Sequence, residues 1–223
     1  MSVLALEALT KDYGDVRALD GISLAVDAGE HVALVGPNGS GKTTLVRLAA
    51  GLLDPTAGEI LVLGHPAGTL AARAEVSFIP DTPALYDDLS VREHLEYVAR
   101  LHGVEQWEDR ADELLAALGL ASRADALPST FSRGLRQKTA IAVALVRPAS
   151  LLLVDEPFVG LDAAGRHALR SLLADRAATG TAVVVATHQL DYAAAVPRCI
   201  VFRDGEVVGD GPLTDDDAGD LDD

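Results

Sequence analysis

Gly36-Pro37-Asn38-Gly39-Ser40-Gly41-Lys42-Thr43 is the stretch on which the fold turns. It follows a short apolar run, residues 31–35, and precedes an apolar-periodic segment, residues 42–50. The three together read as a strand, a tight glycine-rich turn and a helix. Glycines let the backbone fold closely enough for successive N–H groups to face phosphate oxygens, and the start of a helix adds partial positive charge. Lys42 would reach the outer phosphates, Thr43 would offer its hydroxyl to Mg2+, and Thr44 continues the same run. A glycine-rich turn holding a chance lysine is the plain alternative, and the strand before and helix after argue against it. The loop alone leaves a kinase, a GTPase, a motor and a transporter ATPase open.

Carboxylates downstream narrow the choice. The apolar run from Leu151 ends in Asp155-Glu156-Pro157. Asp155, at the end of a buried strand, would hold Mg2+ through water. Glu156 would sit nearer the terminal phosphate as general base for an attacking water. By itself Asp-Glu-Pro fits an ordinary acidic turn; a phosphate loop upstream reverses that preference. His188 follows another short apolar run, residues 182–186; a lone histidine at a strand end is usually structural, but beyond the next strand of the same sheet it would come within reach of the terminal phosphate.

Strands and helices alternate along the chain. Residues 4–9, 22–26, 31–35, 60–63 and 76–79 read as strands, with a turn-rich stretch at 11–15. From Ser90 the character changes: Ser90-Val91-Arg92-Glu93 has capping-box spacing and opens a helix to about Leu101, and 108–118 continues at helical spacing. Strand and helix resume at 151–154, 163–178 and 182–186, before a hairpin through Asp204-Gly205. A single domain is expected over 1–214, with core parts at about 1–85 and 147–214, a helical insert at about 86–146, and an acidic, disordered tail at 215–223.

Composition excludes several classes. The 223 residues carry 18 basic and 34 acidic side chains, a net charge of −16, and 49% hydrophobic residues. Such a chain is not disordered, and its field repels nucleic acid. The tail alone holds six aspartates; without it the charge is still −10. A salt-rich cytoplasm or a high-GC genome would each produce this aspartate-rich, lysine-poor skew. No apolar run approaches the roughly 18 residues needed to span a bilayer, and the N-terminus lacks a secretion signal. The lone Cys199 excludes a disulfide framework.

The segment Phe131-Ser132-Arg133-Gly134-Leu135-Arg136-Gln137-Lys138 completes a pattern. With Tyr13, the phosphate loop, Asp155-Glu156, Gly160-Leu161-Asp162 and His188 in this order, the chain resembles the ATP-binding cassette ATPases from Leu4 to about Leu213. The family's signature reads Leu-Ser-Gly-Gly-Gln, of which Ser132 and Gly134 are kept. The resemblance implies an α/β fold: a P-loop NTPase (RecA-like) core, an antiparallel β subdomain, and an inserted helical subdomain carrying the signature. It implies an ATPase using ATP and Mg2+, with Tyr13 stacked on adenine. Two cassettes, here a homodimer, would face each other head to tail. Ser132 and the N–H groups near Gly134 would meet the terminal phosphate bound by the other copy, and Asp162 would bridge across near the facing loop. A separate transmembrane permease would hold the chain at the cytoplasmic face of the membrane.

Two positions depart from the family. Glutamine usually follows the strand at 76–79, where it touches Mg2+; Asp81 stands here instead, and would reach the metal most readily through water. Arg133 replaces the first signature glycine; it would either add a cation near the facing phosphate or merely occupy the rim. Both departures resemble the exporter branch with ABC-2-type permeases. A soluble cassette acting on ribosomes or nucleic acid, and a P-loop small-molecule kinase, are the alternatives; the single loop, the short loop-to-signature spacing and the missing basic face weigh against them. His31, His65, His94, His102 and His167 lack metal-ligand spacing, Trp107 and Tyr97 read as core, and residues 83–86 with Leu89 read equally well as a permease groove or as ordinary packing.

Overall fold

The structure, a computed structural model, describes residues 2–214; the aspartate-rich stretch 215–223 lies outside the described residues. In chain order the elements are β1 (Ser2–Tyr13), β2 (Val16–Asp27), β3 (His31–Val35), α1 (Lys42–Ala49), β4 (Ala57–Val62), β5 (His65–Pro66), α2 (Leu70–Glu75) and β6 (Val76–Ile79). There follow α3 (Val91–Leu101), α4 (Glu108–Ala117), α5 (Arg133–Leu145), β7 (Leu151–Asp155), α6 (Ala163–Ala178), β8 (Ala182–Ala186), α7 (Leu190–Ala193), β9 (Arg198–Arg203) and β10 (Glu206–Gly211). Contacts divide the described residues into one unit of 2–78, 149–156 and 176–214 and a second of Ile79–Pro148 and Pro157–Asp175.

The first unit holds both sheets. One is antiparallel, in the order β2-β1-β4-β5; the other runs β10-β9-β3-β8-β7-β6. In the second sheet β9, β3, β8 and β7 pair in parallel. Every residue of β7 and β8 is buried, as expected for parallel strands covered on both faces, which read as continuous apolar runs rather than alternating ones. Helix α1 buries Leu45, Val46, Leu48 and Ala49 and touches β2 and β4 of one sheet and β7 and β8 of the other. Its apolar stripe thereby joins Leu4, Leu6 and Ile60 to Leu151, Leu153 and Val184 in one core. At ~25 cal/mol per Å2, a fully buried leucine of this kind contributes roughly 1.5–3 kcal/mol.

β1 and β2 are each longer than the expected 4–9 and 22–26, and the expected turn at 11–15 shrinks to Gly14 and Asp15. The ladder between them shifts register after Leu6, Leu9 and Lys11, and Ala8 has φ 45°. Such bulges break the two-residue alternation on which strand recognition depends.

The second unit is helical. Ser90 caps α3 as its spacing predicts: Glu93 N–H donates to Ser90 Oγ at 3.3 Å and Ser90 N–H donates to Glu93 Oε2 at 2.7 Å. Those hydrogen bonds hold the Glu93 carboxyl below its ordinary pKa. Leu95 and Ala99 of α3, Ala111, Leu114 and Leu115 of α4, and Ile141 and Leu145 of α5 are buried where the three helices pack pairwise. Trp107 is buried, but Tyr97, expected in the core, is 45% exposed. It stands edge-on to the exposed Tyr86, ring centroids 5.6 Å apart, because its helix turns that face outward. Among the described residues no helix is long and apolar enough to cross a membrane.

Candidate active site

Three parallel strands end level with one another, and the chemistry collects at those carboxyl ends. Leu34 of β3 and Asp155 of β7 both lie opposite Ala186 of β8. Beyond that level, Thr187 N–H donates to the Leu34 carbonyl at 3.0 Å and Glu156 N–H to the Ala186 carbonyl at 2.9 Å. The loop after β3, Asp155 and Glu156 after β7, and His188 after β8 thus share one rim.

The loop is wrapped around its own lysine. Lys42, 6% exposed, donates from Nζ to the carbonyls of Gly36 at 2.7 Å and Pro37 at 2.9 Å, with Ser40 Oγ at 3.4 Å. Burial lowers its pKa, while Glu156 and then Asp155 pull the other way. Gly41 takes φ 107°; a methyl there would stand 2.6 Å from the Ala18 carbonyl oxygen and 2.6 Å from Leu19 Cδ2, so only glycine fits. As the N-cap of α1 it supplies no side-chain hydrogen bond. The first-turn N–H groups of α1 therefore lack a side-chain cap, the arrangement that receives an anion.

Thr43 Oγ1 donates to Asp155 Oδ1 at 2.9 Å, and Asp155 is 1% exposed. A hydroxyl and a carboxylate side by side are hard oxygen donors of the kind magnesium accepts. These two oxygens are candidate donors of the rim. Glu156 sits at φ 45°, in the left-handed region. Its Oε2 lies 2.9 Å from His188 Nδ1, joining the two residues expected at the terminal phosphate.

The chain matches the ABC transporter family over residues 19–159. It belongs to that family. The cassette is 35% identical over 213 residues to the SkfA peptide export ATP-binding protein SkfE of Bacillus subtilis, covering 94% of this chain and 89% of that protein. Its fold superposes with TM-score 0.91 on the ATP binding subunit of an ABC transporter, at 32% identity, over 99% of this chain and 95% of the other. The ATP-binding cassette MJ0796, solved as a dimer bound to ADP and Pi in a post-hydrolysis state, matches at 29% identity and TM-score 0.85, covering 95% and 99% of the two chains. The cassette is an ATPase of this family.

The remaining expected residues fall into two groups. Tyr13 of the first unit, 47% exposed, ends β1. Lys11, which sequence reasoning passed over, lies with Nζ 5.2 Å from the Tyr13 ring centroid and donates from Nζ to the Asp54 carbonyl at 2.7 Å. The expected turn at 11–15 hid this pair; on the strand that forms, a spacing of two is the one that puts both residues on one face. In the second unit Ser132 caps α5, its Oγ accepting from Leu135 N–H at 3.4 Å. Gly134 lies so close to Gly160 that a methyl on it would stand 2.5 Å from the Gly160 carbonyl oxygen. Asp162 Oδ1 accepts from Gly165 N–H at 2.9 Å and pairs with Lys138 Nζ at 2.9 Å. Lys138 above all, then the Gly165 N–H, keeps the Asp162 carboxyl below its ordinary pKa. Lys138 had no role in the sequence reading. The two departures meet: Asp81 Oδ1 lies 3.7 Å from Arg133 Nη2.

Proposed function

We propose that this chain is the ATP-hydrolysing subunit that energises a membrane exporter, working as a pair of identical copies on a separate permease. The observation that carries the reading is the shared rim: Lys42 in its loop, Thr43 on Asp155 at 2.9 Å, and Glu156 on His188 at 2.9 Å.

Lys42 now bonds loop carbonyls, and it exchanges them for phosphate oxygens when ATP enters, while Gly36, Pro37, Asn38, Gly39, Ser40, Gly41, Thr43 and Thr44 line the cradle. Tyr13 takes the adenine on its exposed ring. Thr43 and Asp155 would hold Mg2+, which when bound neutralises charge on the phosphate oxygens. Glu156 orients and deprotonates the attacking water. His188, held by the Glu156 carboxylate, presents its other ring nitrogen for contact with the terminal phosphate. Ser132 and the α5 N-terminus near Gly134 meet the nucleotide of the second copy, so closure needs ATP and opening follows hydrolysis.

Export is supported by the peptide-export relative. An ABC-2-type permease is supported by Asp81 and by Ser132-Arg133-Gly134, and attachment to it would place the chain at the cytoplasmic face of the membrane. The test is Glu156→Gln. Turnover should fall by about 10²–10⁴-fold with ATP binding intact, and a dimer should accumulate in ATP on size exclusion with light scattering. Unchanged turnover would remove Glu156 as the base.

A further inference from the structure

The two departures from the family lie against each other in a loose, exposed pair. The Arg133 and Asp81 side chains are 63% and 42% exposed, and their closest approach of 3.7 Å is longer than a hydrogen bond. A pair of this kind is weak and solvent-screened. Its position is nevertheless defined. The stem of Arg133 lies over Gly160, with Cγ and Cδ 3.5 and 3.6 Å from where a methyl on that glycine would stand. From the same helix Lys138 grips Asp162 at 2.9 Å. The start of α5 is thus tied by two cations to the segment after β6 and to the segment before α6.

We propose that Asp81 and Arg133 form an electrostatic latch that holds Arg133 away from the second copy's nucleotide until that nucleotide displaces Asp81. A triphosphate offers several charged oxygens to a guanidinium, and bidentate charge-assisted bonds to phosphate outmatch one loose carboxylate contact. Closure therefore requires one ion pair to break as another forms. Asp81 sets how much ATP that exchange needs, acting as a positioning residue through Arg133 and not on the reacting atoms. The latch rests on the two-copy reading given above.

The experiment uses the full chain carrying Glu156→Gln, with light scattering to follow the dimer as ATP is raised. Asp81→Asn should lower the ATP concentration for half-maximal dimer by about two- to fivefold, the range expected for freeing one exposed ion pair. Arg133→Gln should raise it, and adding Asp81→Asn to Arg133→Gln should then change nothing. The Asp81→Asn shift should also shrink in 0.5 M salt. A half-saturation unmoved or raised by Asp81→Asn overturns the latch, as does an Asp81→Asn effect that survives in Arg133→Gln. Absence of any ATP-dependent dimer in Glu156→Gln itself overturns the two-copy reading and the latch with it.

Discussion

The first unit and the helical unit hold their functional side chains by different means. In the first, Lys42 and Asp155 are 6% and 1% exposed; strand register sets where Asp155 stands, and the Gly36 and Pro37 carbonyls hold Lys42. In the second, Ser132, Arg133 and Asp162 are exposed and are held by two hydrogen bonds from backbone N–H groups and two ion pairs. A buried, hydrogen-bonded arrangement is largely preorganised for chemistry, because little has to move once Lys42 has exchanged its loop carbonyls for phosphate. An exposed arrangement steadied by weak pairs suits a surface that another molecule completes.

Three perturbations can break or sharpen that contrast. The largest effect belongs to Lys42→Ala, which should weaken ATP binding by roughly 10²-fold or more, since a buried charge-assisted contact to phosphate is lost. An isothermal titration matching the native chain would mean that burial of Lys42 is structural only. Gly134→Ala comes next. Alanine favours a helix by about 1 kcal/mol, but a methyl 2.5 Å from a backbone oxygen costs about 1–3 kcal/mol. The clash should win. The fluorescence of Trp107, the chain's single tryptophan and part of the second unit, should report a lower melting temperature, with ATP affinity retained and the ATP-dependent dimer lost.

The smallest effect concerns acid. His31, whose Nε2 shares a 2.6 Å hydrogen bond with Tyr192 Oη, is lowered by burial to about 4. Its ordinary value is about 6.5, so between those limits the unfolded chain binds a proton that the folded chain refuses. Stability should therefore be complete above about pH 6.5 and fall as the pH drops towards 4. The loss is on the order of 1–2 kcal/mol after screening of this partly exposed ring. His31→Gln should flatten that slope in urea melts followed by circular dichroism. An identical slope would free His31 of the effect.

Local features were legible in the residues, and contacts between distant segments were not. The phosphate loop and the Ser90–Glu93 box are fixed by spacings of a few residues, so their geometry follows from composition at those positions. The strands at 151–154 and 182–186 were readable because parallel strands buried on both faces are uninterrupted apolar runs. The full reach of β1 and β2 was hidden by bulges, and the exposure of Tyr97 depended on which face of α3 its neighbours covered. Asp81 and Arg133 each stood out as departures. Nothing in one dimension revealed that they touch, since surface ion pairs leave no periodic trace.

Glu156 holds a last consequence. A non-glycine residue in the left-handed region gives up roughly 1–2 kcal/mol, and φ 45° puts the proposed base there. Glycine would sit there without that penalty, offset by about 0.5–1 kcal/mol of extra unfolded-state freedom. A chain with glycine at this position should melt no lower than the native one while losing turnover. Thermal robustness and catalysis are thus set against each other at a single backbone angle, and a screen for more heat-resistant cassettes should find Glu156→Gly among the survivors that no longer work.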